Sequence, residues 1–299
     1  MKGKKDMQLS TAINLFVCTP DGTYEPYRQE LRRYASLGFN RLDAIFCAAA
    51  QDGSPLDQPD WLDWVQAVHA EAVRLGLSFD QLHLPFYNFC HPQTGIDSHC
   101  EDKIRRSIQC AAILGAPWAV LHPATAIGES LVPTFSLRRN LDYFRPHLAW
   151  AASCGVGICI ENMPDIQLPG CRRRYCATVE ELCVLVDTLA AEFANVGICW
   201  DFGHANLTYA DQVPALAYLG QRLKVTHVHD NRGSGDEHLP PYLGTIKWAS
   251  IMPALTSLGY TGDFSFEIRR FDTAVPAELQ DSLWRHVRAM GEYLLSLAG

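Results

Sequence analysis

Short apolar or β-branched runs alternate with longer amphipathic stretches along the whole chain. The runs AINLFV (12–17), RLDAIFC (41–47), FDQLHLP (79–85), WAVLHPA (118–124), GICIENMP (157–164), VGICWDFGH (196–204), KVTHVHD (224–230) and DFSFEIR (263–269) read as strands. Between them, helical periodicity fits residues 25–37, 60–75, 99–114, 136–153, 178–190, 212–222, 247–258 and 277–297. Gly38, Gly76, Gly115, Gly155 and Gly259 stand where helices end in a left-handed residue, and Thr178 followed by Glu180 and Glu181 reads as a helix start.

Eight strand–helix units predict an α/β protein built as a single (β/α)8 TIM barrel over residues 1–299, with residues 1–9 a flexible N-terminal extension. Barrels of this kind run to roughly 250 residues as one unit, so the length requires no second domain. An open doubly wound sheet usually has fewer strands and a glycine-rich phosphate loop, and neither GxGxxG nor GxxxxGK[ST] occurs. The long loops 48–59, 86–98, 125–135, 165–177 and 231–244 all follow strands. They would rise from the C-terminal face of the barrel, where such folds place their active sites.

The composition narrows the function. Apolar residues make up 48% of the chain and charged ones 19%, enough to bury a large core. The net charge of −8 gives no general attraction to nucleic acid or anionic lipid, and loops 48–59 and 86–98 contain no Lys or Arg. The eleven cysteines are scattered through apolar runs, as small buried hydrophobes in a reducing compartment are. MKGKKDMQLS has no continuous apolar segment, and no run approaches the roughly 20 residues of a membrane span. A cytoplasmic protein is expected.

The strongest chemical signal is a spacing. A His, Asp or Glu stands near the end of each of the last six strands, at 83, 122, 161, 201, 227 and 267, in steps of 39, 39, 40, 26 and 40 residues. Each step is one unit, so the fold gathers all six at one mouth. A single strand-end histidine is more often a hydrogen-bonded core residue than a ligand. Three converging carboxylates are different, because in a low-dielectric mouth they repel one another unless a cation neutralises them. Mixed His and carboxylate donors suit a divalent ion, manganese or zinc first, with magnesium, cobalt or iron as further fits. His204 follows Asp201 by three residues, and His229, Asp230, Arg232, Asp236 and His238 follow His227. His227 and His229 share a strand face, so spacing alone does not choose between them.

The segments LHLP, LHPA, IENMP, WDFGHAN, HVHD with DEHLPPYLGTI, and FSFEI resemble the motifs of the xylose isomerase-like barrel superfamily, which includes sugar phosphate isomerases and epimerases and the endonuclease IV class of apurinic-site nucleases. The resemblance runs from about residue 10 to the end. It implies that Glu161, Asp201, His227 and Glu267 hold one divalent ion, and it selects His227 over His229. It further implies a sugar or polyol substrate, with Glu161 and Glu267 moving a proton through a metal-stabilised enediolate and His204 contacting a substrate hydroxyl. His83, His122, Asp236 and His238 would line the sugar pocket or hold additional metal. Arg232 is a candidate for a phosphate or carboxylate; the run Arg172, Arg173, Arg174 reads first as a solvated basic loop and second as another such clamp.

A second reading is an endonuclease IV-like phosphodiesterase of abasic DNA. Its three zinc ions would be held by nine residues of matching type: His83, His122, Glu161, Asp201, His204, His227, Asp236, His238 and Glu267. The acidic charge and the loops without Lys or Arg favour the sugar reading and argue against nucleic acid. Dehydratases of keto-inositols or shikimate-type acids share the barrel and form a third reading. A degenerate barrel kept as a binding subunit is a fourth, which the intact carboxylates oppose. Exposed barrel helices commonly support a homodimer.

Overall fold

The computed structural model describes residues 7–16, 27–128, 132–169, 171 and 173–298. Its strands are β1 (Leu9–Asn14), β2 (Arg41–Ile45), β3 (Ser78–His83), β4 (Trp118–Leu121), β5 (Gly157–Glu161), β6 (Val196–Asp201), β7 (Leu223–His227) and β8 (Phe264–Phe266). Helices α1 (Tyr27–Ser36), α2 (Trp61–Arg74), α3 (Ser98–Leu114), α4 (Val132–Ser153), α5 (Val179–Ala190), α6 (Phe202–Asn206), α7 (Val213–Leu219), α8 (Trp248–Leu258) and α9 (Ala277–Ser296) lie between and after them. Every expected strand is present. Residues 1–6 of the expected N-terminal extension lie outside the described residues.

The sheet runs β7-β6-β5-β4-β3-β2-β1-β8, with every ladder parallel. A single parallel bridge between Val228 and Phe266 joins its two ends: Val228 N donates to Ser265 O at 2.8 Å and Glu267 N to Val228 O at 2.9 Å. The result is a (β/α)8 barrel. Its strands read as apolar runs because helices cover the outside, as in all-parallel sheets. Ile158, Ile160, Ile198 and Trp200 are fully buried, as are Leu182, Leu185 and Leu189 of α5. Gly115 and Gly259 close α3 and α8 at φ 77° and 69°, the left-handed caps that the sequence predicts.

The register fixes which residues share the lumen, since paired positions of parallel strands face the same way. Asp43 pairs with Gln81, His83 with Val120, Val120 with Cys159, Cys199 with Val225, and Asp201 with His227. The segment expected as strand to residue 204 leaves the sheet at Asp201. There the Asp201 carboxylate accepts from His204 N at 2.7 Å and starts α6, a helical turn absent from the periodicity. All ten described cysteines are free, seven of them buried; Cys18 lies outside the described residues. No helix among the described residues is long and apolar enough to cross a membrane.

Candidate metal and substrate site at the barrel mouth

His83, Glu161, Asp201 and His227 are the last residues of β3, β5, β6 and β7, while His122 and Glu267 stand one residue beyond β4 and β8. Alternation along each strand turns all six into the lumen at its C-terminal end. Asp236 and His238 come from the loop after β7, where His238 adopts a left-handed backbone (φ 49°) that a non-glycine residue holds only under constraint. Its Nδ1 lies 2.8 Å from Glu267 O, which ties that loop to the end of β8.

The donors fall into two adjoining groups. In the first, His227 Nδ1 lies 2.9 Å from Glu161 Oε1 and 3.4 Å from Glu267 Oε2. His122 Nε2 is 2.9 Å from Glu161 Oε2, His83 Nε2 is 3.4 Å from the same oxygen, and the His83 and His227 rings stack with centroids 5.4 Å apart. In the second, Asp201 turns to His229 Nε2 at 3.0 Å, and Asp236 reaches His204 Nε2 at 3.4 Å and His238 Nε2 at 3.3 Å. Glu161 links the groups through His204 Nδ1 at 3.5 Å. Of the four ligands implied by resemblance, Glu161 and Glu267 therefore both reach His227 Nδ1. Asp201 faces the other group and engages His229, the histidine that the resemblance set aside.

The charges explain this arrangement. Burial alone would raise the Glu161 pKa, yet His227 and His122 hold it well below the usual carboxylate range. Burial opposes ionisation of Glu267 as well, and the Arg269 guanidinium bonded to it, with His227 and His238, keeps it strongly depressed. Burial would likewise deprotonate the histidines. Against burial, Cys47 and then Glu161 hold His83 well above the ordinary value, Cys199 and then Glu161 and Glu267 do the same for His227, while Asp201 and Asp236 push His204 up to about 10 and Asp236 and Glu267 raise His238. Carboxylates take part at each of these four histidines and lead at His204 and His238, which marks the mouth as rich in acidic groups. Among the described residues, buried Asp236 Oδ1 and Glu161 Oε2 accept no well-aligned hydrogen bond, although His122 Nε2 stands 2.9 Å from the latter. Among the described residues, His83, His227 and Glu267 offer donor atoms within 4.8 Å of one another, and so do His83, His122 and Glu161, and Asp201, His204 and His229. Oxygen and imidazole donors in this number fit a divalent cation, which would take over the role of those protons.

Several contributors escaped the sequence reading. Asp43 on β2 lies 3.0 Å from His227 Nε2 and accepts from Gln81 Nε2 at 2.8 Å, so a wholly buried carboxylate fixes which ring nitrogen of His227 faces Glu161. Asn162 orders the next strand end, accepting from Asp201 N at 2.6 Å and donating to Asp201 O at 2.9 Å. Asp230, named in the sequence only as one of the polar residues after His227, shapes the loop after β7 by accepting from Tyr242 N, Ile246 N and Trp248 Nε1. Two close approaches make room for these contacts: a Cβ on Gly203 would meet the His229 ring at 1.9 Å, and one on Gly244 the Asp230 carboxylate at 2.2 Å. Arg232 is not part of the site; it is exposed and bonded to Glu237. Of the arginine run, Arg172 lies outside the described residues and Arg173 is bound to Glu181, while Arg174 turns toward the mouth.

With this geometry established, the comparison with known proteins is direct. The family described as xylose isomerase-like TIM barrel matches residues 31–288. The chain belongs to that family. Among solved members of this fold, a D-tagatose 3-epimerase-like protein superposes with a TM-score of 0.73 at 21% identity, covering 98% of each chain. The D-psicose 3-epimerase of Clostridium cellulolyticum H10 gives 0.73 at 17% identity, over 97% of this chain and 99% of that one. An L-ribulose 3-epimerase gives 0.72 at 18%, over 96% and 95%. At these identities the likeness speaks for the xylose isomerase-like fold. Curated relatives include uncharacterized proteins of Sinorhizobium fredii, 30% identical over 55% of this chain and 51% of that protein, and of Methanocaldococcus jannaschii, 30% identical over 58% of each. The chain thus spans just over half the length of the curated relatives it matches.

Proposed function

We propose that this protein is a divalent-metal-dependent isomerase or epimerase of a sugar or polyol derivative, with Glu161 and Glu267 as its proton-transfer groups. The observation that carries the reading is the convergence of these two buried carboxylates on His227 Nδ1, at 2.9 and 3.4 Å, in a mouth whose acidic groups call for a cation. Near-full-length likeness to sugar 3-epimerases supports it. Glu161, Asp201, His227 and Glu267 would hold the ion, with His83, His122 and His204 beside it. A bound divalent ion would neutralise the carboxylates and polarise the oxygens of the sugar.

The chain's own groups supply the rest. One carboxylate removes the proton next to the carbonyl and the other returns it from the opposite side, so the configuration at that carbon inverts. Asp43 keeps His227 in register, and Arg269 restrains one oxygen of Glu267 while Oε2 faces His227. His122, whose pKa burial lowers to about 4, stands beside Glu161 and would meet a sugar hydroxyl. The test is epimer formation from a panel of ketoses by metal-loaded protein, with Glu267→Gln as the control. Inversion lost in that variant supports the reading, and retained activity removes the assignment of Glu267.

The nine residues of matching type, which with His229 form the two adjoining groups, favour one competing reading, a three-ion phosphodiesterase. Elemental analysis separates the two. One tightly held ion per chain agrees with sugar chemistry; three zinc ions together with cleavage of an abasic-site duplex would replace it.

A further inference from the structure

Beside the mouth, between the loops that follow β3, β4 and β5, lies a cavity of about 370 Å³. Its walls are largely apolar, from Phe86, Pro123, Ile127, Met163 and Leu168, and it contains no carboxylate among its described lining residues. Arg174 is the only arginine or lysine among them. Among the described residues the buried Arg174 Nε has no hydrogen-bond partner, and Asp236 is the carboxylate whose charge acts on the guanidinium. Its neighbour in sequence, Arg173, is bound through both terminal nitrogens to Glu181, so the two side chains do different things. The cavity meets the proton-transfer site at His122, which lines it while its Nε2 lies 2.9 Å from Glu161 Oε2. The His122 Nδ1 is also buried and partnerless.

A guanidinium in an apolar recess, acted on by Asp236 but forming no ion pair among the described residues, is costly unless a ligand supplies a closer counter-ion. A planar carboxylate matches its fork in charge and geometry. Among the described lining residues no second arginine or lysine stands ready to answer the further charge of a phosphate dianion. We infer that Arg174 binds a terminal carboxylate of the substrate, so that the protein acts on a sugar acid whose reacting carbons lie at Glu161 and Glu267 and whose acid end occupies this cavity. The inference rests on the sugar reading above and adds the class of sugar.

The test compares a ketohexose, the same ketose carrying a carboxylate at carbon 6, and its 6-phosphate, using the metal-loaded full chain and the variants Arg174→Lys and Arg174→Met. Binding is read by calorimetry and turnover by epimer formation. The carboxylated ketose is expected to bind about 30-fold more tightly than the neutral one, as a charge-assisted bidentate contact allows. Arg174→Met should bring that ratio close to one and Arg174→Lys should leave part of it, with melting temperatures matching the parent to show that the fold is intact. Equal binding of acid and neutral ketose, preference for the phosphate, or a preference for the acid that survives in Arg174→Met would each overturn the carboxylate assignment. Inversion of the neutral ketose without any preference for the acid would keep the sugar reading and reject this one. Tight, Arg174-dependent binding of the acid without inversion would support the subsite and reject the proton-transfer reading.

Discussion

The two halves of the barrel lumen differ just below the mouth. On β4 to β7 the residues two positions before His122, Glu161, Asp201 and His227 are Val120, Cys159, Cys199 and Val225, a buried apolar cluster. On β8, β1, β2 and β3 the corresponding floor is Ser265, Ser10, Asp43 and Gln81, all wholly buried. The Ser265 and Ser10 hydroxyls, Asp43 Oδ1 and Gln81 Oε1 have no partner among the described residues. The apolar half gives Glu161 no support from beneath, so its charge is answered only from the level of the mouth, by histidines and, on the present account, by a cation. The polar half instead reaches across the lumen and holds His227 by its other nitrogen. One half raises the electrostatic demand for an ion, and the other aims a ligand at it.

Substitutions can break this division of labour, beginning with the largest effect. Glu161→Gln removes the carboxylate that stands over the apolar floor, and turnover should fall by about three orders of magnitude at saturating metal. A loss below tenfold in steady-state assays would take Glu161 out of the chemistry. Asp43→Asn tests the polar half: affinity for the divalent ion should fall by about 10- to 100-fold, as when a carboxylate behind a metal-binding histidine is lost. Direct metal titration reads this without any activity assay, and an unchanged affinity would mean that Asp43 does not orient His227.

Smaller effects sharpen the contrast. Val225→Ala opens a void in the apolar floor and should lower stability by about 2 kcal/mol, measured by denaturant unfolding of the metal-free protein. Its metal affinity should stay within about threefold of the parent; a larger drop would show that the apolar floor also positions the ligands. Ser265→Ala removes a buried hydroxyl without a described partner. Stability should stay within about 1 kcal/mol of the parent and could rise, whereas a loss of 2 kcal/mol or more would reveal a contact that hydroxyl makes.

How much of this was readable from sequence follows the same division. The strand ends were legible because carboxylates and histidines interrupt apolar runs at steps of about one strand–helix unit. The β6 boundary was harder: Phe202 continues the apolar pattern, and only the capping bond from His204 N to Asp201 shows that the strand has ended. Asp43 carried no signal, since a single acid in RLDAIFC resembles a solvent-facing strand residue and its partner His227 is 184 positions away. The pairing of Asp201 with His229 was equally hidden, because His227 and His229 lie on one strand face and only the packing over Gly203 separates their roles. Arg173 and Arg174 were equivalent as letters, and they differ because Glu181 on α5 captures one and leaves the other facing the cavity.

The most direct test of the central claim is deuterium incorporation at the carbon next to the carbonyl of a ketose, followed by NMR in heavy water with metal-loaded and chelator-stripped protein. Exchange should require the ion, return on its re-addition and be absent in Glu161→Gln. Exchange that persists undiminished in the stripped protein, or no exchange on any ketose or ketose acid with the metal fully bound, would contradict that claim.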